Sequence, residues 1–167
     1  MAKLVVSEFV SVDGVMEDPG GSEGWARGGW VFQFNRGDEG DRFKHEELMS
    51  ADALLLGRKT YEGFAAAWPS RQDEAGFADK MNGMRKYVVS NTLKNPEWNN
   101  TTKLVHLLIE NDLVDEMRLM VFPVVLGLGL RLFSDSPHAW PFRLLDSRSV
   151  GDEGVLVVRY EPKREKK

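Results

Sequence analysis

The sequence predicts an α/β fold whose sheet is parallel in the middle and antiparallel at its C-terminal edge. Strand patterns alternate with helical patterns over the first two thirds of the 167 residues, as in parallel sheets whose strands are joined by helices. Strand patterns dominate the last third, where Gly151–Gly154 separates Phe142–Ser147 from Val155–Tyr160 and predicts an antiparallel pair. No change in composition marks a boundary, so we expect one domain over residues 1–162 and a frayed charged tail over 163–167.

The earlier elements follow from the same patterns. Apolar and β-branched runs without helical spacing predict four strands, at Leu4–Val12, Ala51–Leu56, Arg85–Ser90 and Glu116–Val125. Helical spacing and runs of good helix formers predict three helices, at Asp41–Ser50, Lys59–Ala67 and Leu104–Asn111. We expect the first strand to be central in the sheet and parallel to the second.

Composition and charge exclude several classes of protein. The 22 Lys and Arg against 26 Asp and Glu give a net charge of −4, which argues against a nucleic-acid-binding module. With no cysteine, the chain forms no disulfide and no cysteine-ligated metal site. No apolar run reaches the length of about 20 residues that a membrane-spanning helix needs. We therefore expect a cytoplasmic protein without nucleic-acid or membrane partners. The three histidines have no metal-ligand spacing, so no metal site is expected.

A long polar, glycine-rich stretch follows the first strand. This stretch, Glu17–Gly29, contains Trp25 and is followed directly by Trp30. Loops of this length are binding loops or flexible connections, and tryptophan favours the first because its large apolar surface needs a cover. Trp25 and Trp30, with Phe34, are therefore candidates to stack on a flat substrate ring. A role in the core or in a dimer contact is the alternative.

Three motifs, taken in order, resemble a known family. Ser11-Val12-Asp13-Gly14 follows the first strand, and Leu55–Glu62 (LLGRKTYE) passes from the second strand into a helix. Leu119–Phe133 ends a later strand in a proline and a Gly-x-Gly turn. Together they resemble the dihydrofolate-reductase-like family, and more closely its branch similar to the riboflavin-biosynthesis reductase (RibD C-terminal) domain, over Leu4–Glu161. The resemblance implies a three-layer sandwich around a mixed, mostly parallel sheet with an antiparallel C-terminal edge. It also implies NADPH bound at the carboxyl ends of the parallel strands.

The strand-to-helix turn at Gly57, Arg58, Lys59 and Thr60 is the first predicted cofactor-binding segment. The N–H groups of a first helical turn point at whatever lies before it. Two cations and a hydroxyl beside those donors suit a phosphate. Two positive side chains at a helix N-terminus are unfavourable next to the positive end of the helix dipole, which favours a binding role for them. The alternative is that both cations are simply solvated.

Two further segments are implied by the resemblance. Ser90, Asn91 and Thr92 close the third strand and would hold the adenosine ribose and its 2′-phosphate, although Ser and Asn side chains also form ordinary turns. Gly127 would lie beside the nicotinamide, with a plain tight turn as the alternative.

Asp13 is the candidate catalytic residue. It follows the first strand in a Ser-x-Asp-Gly pattern shared with the riboflavin reductase domains, and Ser11 points to the same side as a candidate substrate contact. Asp13 would bind a substrate hydroxyl or deliver a proton. The alternative is that it only forms an Asp-Gly turn.

The chain departs from the family pattern after Thr102. Family members carry there a helix and then a central strand ending in a glycine-rich turn that contacts pyrophosphate, roughly 25 residues together. Here Asn99-Asn100-Thr101-Thr102 passes directly to Lys103-Leu104-Val105-His106. We therefore expect a missing segment between 102 and 103, a wide separation of these two residues, and a vacancy or a thinly paired strand beside Leu4–Val12. A genuine deletion is the alternative.

The resemblance implies an NADPH-dependent reductase of a small, ring-bearing metabolite, similar to the 5-amino-6-(5-phosphoribosylamino)uracil reductase of riboflavin biosynthesis. No deaminase segment with His-x-Glu and paired cysteines is present, so only the reductase half is expected. One alternative is a non-catalytic nucleotide-binding module of the same fold. The other is a dihydrofolate reductase proper, which is disfavoured because no single acidic residue of the first helix aligns with the pterin-binding position. Pairing through sheet edges is expected to give a homodimer.

Overall fold

Seven strands and three α-helices form the part of the chain that the computed structural model describes, which is residues 3–90, 92–94, 96–104, 113–133 and 139–163. The strands are β1 (Val5–Ser11), β2 (Ala53–Gly57), β3 (Arg85–Val89), β4 (Thr101–Leu104), β5 (Glu116–Phe122), β6 (Phe142–Val150) and β7 (Val155–Pro162). The helices are α1 (Gly37–Met49), α2 (Arg58–Ala67) and α3 (Phe77–Gly83), with a 3₁₀ turn at Trp30–Gln33. The chain divides into two compact units, residues 42–107 and the two flanking stretches 1–41 and 108–167.

The flanking stretches form a four-stranded sheet in the order β1-β5-β7-β6. β1 runs parallel to β5, from Val5 opposite Glu116 to Ser11 opposite Phe122. β5, β7 and β6 are successively antiparallel, with a β-bulge in β6. Alternate positions of β1 and β5 supply a small core that includes Val10 and Met117. This unit therefore combines one parallel pair with the predicted antiparallel C-terminal edge.

Residues 42–107 form a parallel three-stranded sheet in the order β2-β3-β4. Its core is built from alternate strand residues and from side chains of all three helices and of the loop before β4: Leu48, Leu56, Tyr61, Met81, Met84, Val88 and Trp98. α2 follows β2 without a break, so the strand-to-helix turn predicted from the sequence forms at Gly57 and Arg58.

The predicted fold class is confirmed: the protein is a mixed α/β protein, mostly parallel, with an antiparallel edge. The central position expected for β1 is wrong, because among the described strands it has one neighbour, β5, while β2 lies in the other sheet. The vacancy or thinly paired strand expected beside Leu4–Val12 stays a prediction. The single domain over 1–162 stays a prediction.

The region after Thr102 differs from expectation. Thr102 and Lys103 are consecutive residues of β4, opposite Tyr87 and Val88, so the wide separation expected between them is wrong. Leu104, expected to begin a helix, ends β4 because it continues the pairing with β3. The rest of that predicted helix, 105–111, lies outside the described residues.

Helix α3 was missed from the sequence. Its start is set by Asp73, whose carboxylate accepts the N–H groups of Phe77 and Ala78 at 2.8 and 2.6 Å. These hydrogen bonds hold the pKa of Asp73 below its usual value. Seven residues are too few to show a clear helical period, which is why the sequence pattern did not reveal the helix.

Candidate functional site

The carboxyl ends of β2 and β3 lie side by side. Gly57 at the end of β2 pairs with Val89 at the end of the parallel strand β3. Arg58–Thr60 and Ser90–Thr92 therefore leave neighbouring strands at the same edge of the sheet. The register brings together two of the segments that the sequence predicts for the cofactor, although Asn91 lies outside the described residues.

The first turn of α2 presents backbone donors and exposed polar side chains at this edge. Gly57 precedes the helix and provides no side-chain cap, and first-turn N–H groups have no acceptor within a helix. A Cβ placed on Gly57 would meet no described atom within 4 Å, so there is open space beside it. Arg58, Lys59 and Thr60 are all exposed. This arrangement suits a phosphate group.

Arg58 already has a partner on its own helix. Its Nη1 donates to the two carboxylate oxygens of Glu62 at 3.0 and 3.1 Å. This is an exposed pair one turn apart, and such pairs contribute little free energy. A bound phosphate would therefore compete with Glu62 for the Arg58 guanidinium. The alternative that Arg58 is simply a solvated residue at the helix end stays open.

Ser90 forms a turn with its own side chain. Its Oγ accepts the N–H groups of Thr92 and Leu93 at 3.1 and 2.9 Å, and the residue is buried. This is the turn-forming role that the sequence left as the alternative. The exposed Thr92 lies next to it, and contact of either residue with a cofactor stays a prediction.

Asp13 joins the end of β1 to the loop after β5. The Ser11 hydroxyl donates to its Oδ1 at 2.7 Å, the Leu126 N–H donates to the same oxygen at 3.1 Å, and the Gly127 N–H donates to Oδ2 at 2.8 Å. The Gly14 N–H donates to the Ser11 carbonyl at 2.9 Å, so the predicted turn is also present. Ser11, Asp13 and Gly127, three predicted site residues, are thus in one hydrogen-bonded cluster, which we call the Asp13 cluster.

The pKa of Asp13 shows what this cluster does to the carboxyl group. Burial raises the pKa of Asp13, but the hydrogen bonds from Ser11 and from the Leu126 and Gly127 N–H groups outweigh this effect and lower the pKa to about 2. At neutral pH the group is ionised and has no proton to deliver. The structure thus favours a role in holding the loop, and direct participation of Asp13 in a reaction stays a prediction.

The glycine-rich loop is organised around Asp18, a residue that the sequence analysis did not select. Its buried carboxylate accepts the N–H groups of Glu23 and Trp25 at 3.0 and 3.1 Å, and its carbonyl accepts that of Gly29 at 2.9 Å. A Cβ on Gly28 would lie 2.2 Å from Asp18 Oδ2. The loop is therefore built against a carboxylate, and the flexible-connection alternative is not what the structure shows.

The two tryptophans have different environments. Trp30 is fully buried, packs edge-on against Phe122 at 5.5 Å and donates from Nε1 to the Glu17 carbonyl at 2.9 Å. It is a core residue, so the substrate role predicted for it is wrong and the core alternative is correct. Trp25 is half-buried, and its ring lies close to Gly129, where an added Cβ would be 3.0 Å away. Trp25 remains a candidate substrate contact, whereas Ser11, the other one predicted, is buried and its hydroxyl donates to Asp13 and accepts the Val15 N–H.

Gly127 and Gly129 have φ angles of +74° and +116°, which explains why glycine occupies both positions. Arg27 reaches this loop from the glycine-rich loop, with its Nη1 donating to the Leu126 carbonyl. A groove of about 370 Å³ lies between the two loops. Its walls are Ala26, Arg27, Gly28, Gln33, Val125 and Leu126.

Lys86 is a second residue that the sequence analysis missed. It is fully buried in β3, and its Nζ donates to the carbonyls of Asn82, Met84 and Asn99 at 2.9, 2.8 and 3.2 Å. The ammonium also lies 4.2 Å from the centre of the Trp98 ring. Desolvation lowers the pKa of Lys86. Alternation in β3 places Lys86 on the same face as the buried Val88, and this is the only feature of the sequence that indicates its burial.

The described residues contain no cluster of three or more His, Cys, Asp or Glu side chains suited to a metal ion. No helix in the same part of the chain is long and apolar enough to cross a membrane.

Comparisons with solved structures place this arrangement in the dihydrofolate-reductase-like fold. A protein of Shewanella sp. PV-4 named for riboflavin biosynthesis superposes with a TM-score of 0.73 at 19% identity, over 98% of this chain and 100% of that chain. Dihydrofolate reductase of Enterococcus faecalis, in complex with NADP(H), gives 0.54 at 11% identity, over 97% of each chain. The Thermotoga maritima diaminohydroxyphosphoribosylaminopyrimidine deaminase/5-amino-6-(5-phosphoribosylamino)uracil reductase gives 0.53 at 15% identity, over 96% of this chain and 56% of that chain. The chain belongs to the RibD C-terminal domain family, whose sequence model matches residues 2–106.

Two Bacillus subtilis proteins are similar in sequence. YwjB is 28% identical over 172 positions that cover 89% of this chain and 92% of YwjB. YyaP is 24% identical over 185 positions, with 93% of each chain covered. Because 89% of 167 residues is about 149, about 23 positions of the YwjB alignment have no residue in this chain. The same arithmetic for YyaP gives about 30 such positions.

Proposed function

We propose that this protein is an NADPH-dependent reductase of a small, ring-bearing metabolite, of the type of 5-amino-6-(5-phosphoribosylamino)uracil reductase. Membership of the RibD C-terminal domain family supports this reaction class. The observation that carries the proposal is the parallel register of β2 and β3. It brings Gly57, where the donor-rich turn begins, opposite Val89, the residue before Ser90.

The residues at this edge fit the phosphate groups of NADPH. The uncapped N–H groups of α2, with Arg58, Lys59 and Thr60, would bind one phosphate, and Thr92 would lie beside it. NADPH, when bound, supplies the hydride. Gly127 is the predicted neighbour of the nicotinamide.

The Asp13 cluster would act on the substrate side. Asp13 fixes Leu126 and Gly127 through their N–H groups, and Ser11 holds the Asp13 carboxylate. The protein's contribution in this proposal is a fixed loop against which a flat ring can lie, with Trp25 as the second wall. Fixing the geometry before the reaction is what such a site needs, because orientation lowers the barrier.

The test is NADPH oxidation, followed at the absorbance of the reduced nicotinamide, with 5-amino-6-(5-phosphoribosylamino)uracil as substrate. Dihydrofolate is the control substrate, and NADPH binding is measured separately by fluorescence titration. We expect turnover with the pyrimidine and little with dihydrofolate. NADPH binding without turnover of either would contradict the reductase and support a nucleotide-binding module.

The nucleotide-binding module is retained as a second candidate because of the unmatched alignment positions. We propose that these positions correspond to a segment missing after Thr102, where β4 and the family match both end within a few residues. A chain without that segment would bind NADPH less tightly than its relatives. Inserting the unmatched residues of YwjB after Thr102 should raise NADPH affinity. Equal affinity with and without the insert would show that the short chain is sufficient.

We also propose a homodimer. β6 ends its sheet among the described strands, and Leu144 on it is 51% exposed. Such an edge offers unpaired backbone groups to a second copy. Light scattering that gives a monomer mass at micromolar concentration would contradict it.

A further inference from the structure

The groove between the glycine-rich loop and the loop after β5 has an uneven chemical lining. Val125 is 72% exposed and gives it an apolar wall, and Gln33 adds an exposed amide. Within the described residues, one charged side chain lines the groove, and it is Arg27. A ligand that complements such walls has an apolar or flat body and a single anionic group.

Arg27 is held in place at the groove. Its Nη1 donates to the Leu126 carbonyl, and the same atom would be 3.6 Å from a Cβ on Gly127. This bond uses one of the five N–H donors that a guanidinium carries. An anchored guanidinium loses less side-chain freedom when it binds a second partner, which favours recognition of planar oxyanions.

Both loops that form the groove are themselves fixed. The Asp13 cluster holds the Leu126–Gly127 side. On the other side the Asp18 carboxylate accepts backbone N–H groups of its own loop, and it lies behind Gly28. The carboxylates of Asp13 and Asp18 accept these backbone N–H groups, and neither side chain is among the residues that line the groove.

We propose that Arg27 is the residue that selects substrates carrying a phosphate or carboxylate group, which the groove binds with the rest of the ligand against Val125. That the bound molecule is a substrate rests on the proposed function, whereas the binding of an anion at Arg27 does not. The shared chemistry is a small oxyanion on a flat, partly apolar molecule.

The test compares two probes that differ by one phosphate. Uridine 5′-monophosphate and uridine are titrated separately into the full chain, and binding is followed by NMR at the Leu126 and Gly127 amides. We expect the monophosphate to bind about tenfold more tightly than uridine, as for a charge-assisted pair at a partly exposed site. Higher salt should reduce that difference.

Two variants separate recognition by Arg27 from its contact with the loop. Arg27→Gln removes the charge and keeps an amide donor, and Val125→Asp places a negative charge in the groove without touching the Leu126 bond. Each should reduce the preference for the monophosphate to less than about threefold while uridine binds as before. Arg143→Gln is the matched control, because Arg143 is an exposed arginine paired with Glu161 on β6 and β7.

Equal binding of the two probes to the unaltered chain would overturn the proposal. So would a preference that survives in both variants, or no binding of the monophosphate at millimolar concentration. Failure of the reductase assay leaves these titrations unaffected, so the proposed function and the anion site can fail separately.

Discussion

The Asp13 cluster gives the most direct quantitative prediction, through the variant Asp13→Asn. Three donors converge on the carboxylate, from the Ser11 hydroxyl and from the N–H groups of Leu126 and Gly127. An asparagine replaces one acceptor oxygen by an amide that itself donates, so at least one of the three donors loses its acceptor. The variant is isosteric, so packing changes little.

The size of the effect follows from the pKa. A pKa that falls from 3.8 to about 2 on folding corresponds to roughly 2 kcal/mol of stabilisation at neutral pH. The side chain is 17% exposed and solvent screens part of this interaction, so we expect Asp13→Asn to cost about 1–2 kcal/mol. Because the folded-state pKa is the lower one, the stabilisation is present above about pH 4 and is lost between about pH 4 and pH 2.

The assay is urea unfolding of the unaltered chain and the variant over a series of pH values from neutral to about 3. The difference in unfolding free energy should shrink as the pH falls towards 3, since the unfolded-state carboxyl group takes up a proton there while the native carboxylate stays ionised. Asp152→Asn, in the exposed turn between β6 and β7, is the control and should show no such trend. A difference that is absent at neutral pH, or that is equally large at about pH 3, would refute the reasoning.

Three further predictions concern single substitutions. Lys86→Met should cost about 2–4 kcal/mol in urea unfolding, because three carbonyl groups lose a buried donor; a cost below about 0.5 kcal/mol would contradict this. Gly28→Ala should cost about 1–3 kcal/mol, because the new Cβ displaces the Asp18 carboxylate, whereas Gly20→Ala, with open space around it, is the control. Arg58→Ala should weaken NADPH binding in a fluorescence titration by about 1 kcal/mol, roughly fivefold, and NADH binding by less. Unchanged NADPH affinity would make Arg58 a solvated helix end.

The sequence predicted the parts of the molecule that depend on local pattern. The alternating or apolar runs located β1, β3, β5 and the β6–β7 pair to within a few residues, because side-chain period and burial are properties of neighbouring residues. The Leu55–Glu62 motif located the turn between β2 and α2, and the Ser11–Gly14 motif located the turn after β1.

The features that the sequence did not predict depend on residues that are far away in the chain. Asp13 finds its backbone donors at Leu126 and Gly127, more than a hundred residues on, so its low pKa has no local signal. Lys86 is buried because carbonyls of a helix end and of a loop surround it. Trp30 resembles any loop tryptophan until Phe122 of β5 is packed against it. Long-range contacts of this kind are set by topology, which a single sequence does not contain.

The division of the chain also sets an order of assembly during synthesis. Residues 42–107 are one continuous stretch, so their three-stranded sheet can form before the rest of the chain has been made. β1 is made before β5, its partner strand, which begins at Glu116, so the β1–β5 pairing cannot form until then. Closing so long a loop is slow compared with local pairing. Among the described strands, β1 thus waits longest for its partner, and until β5 is made its unpaired backbone groups are open to chaperones and proteases.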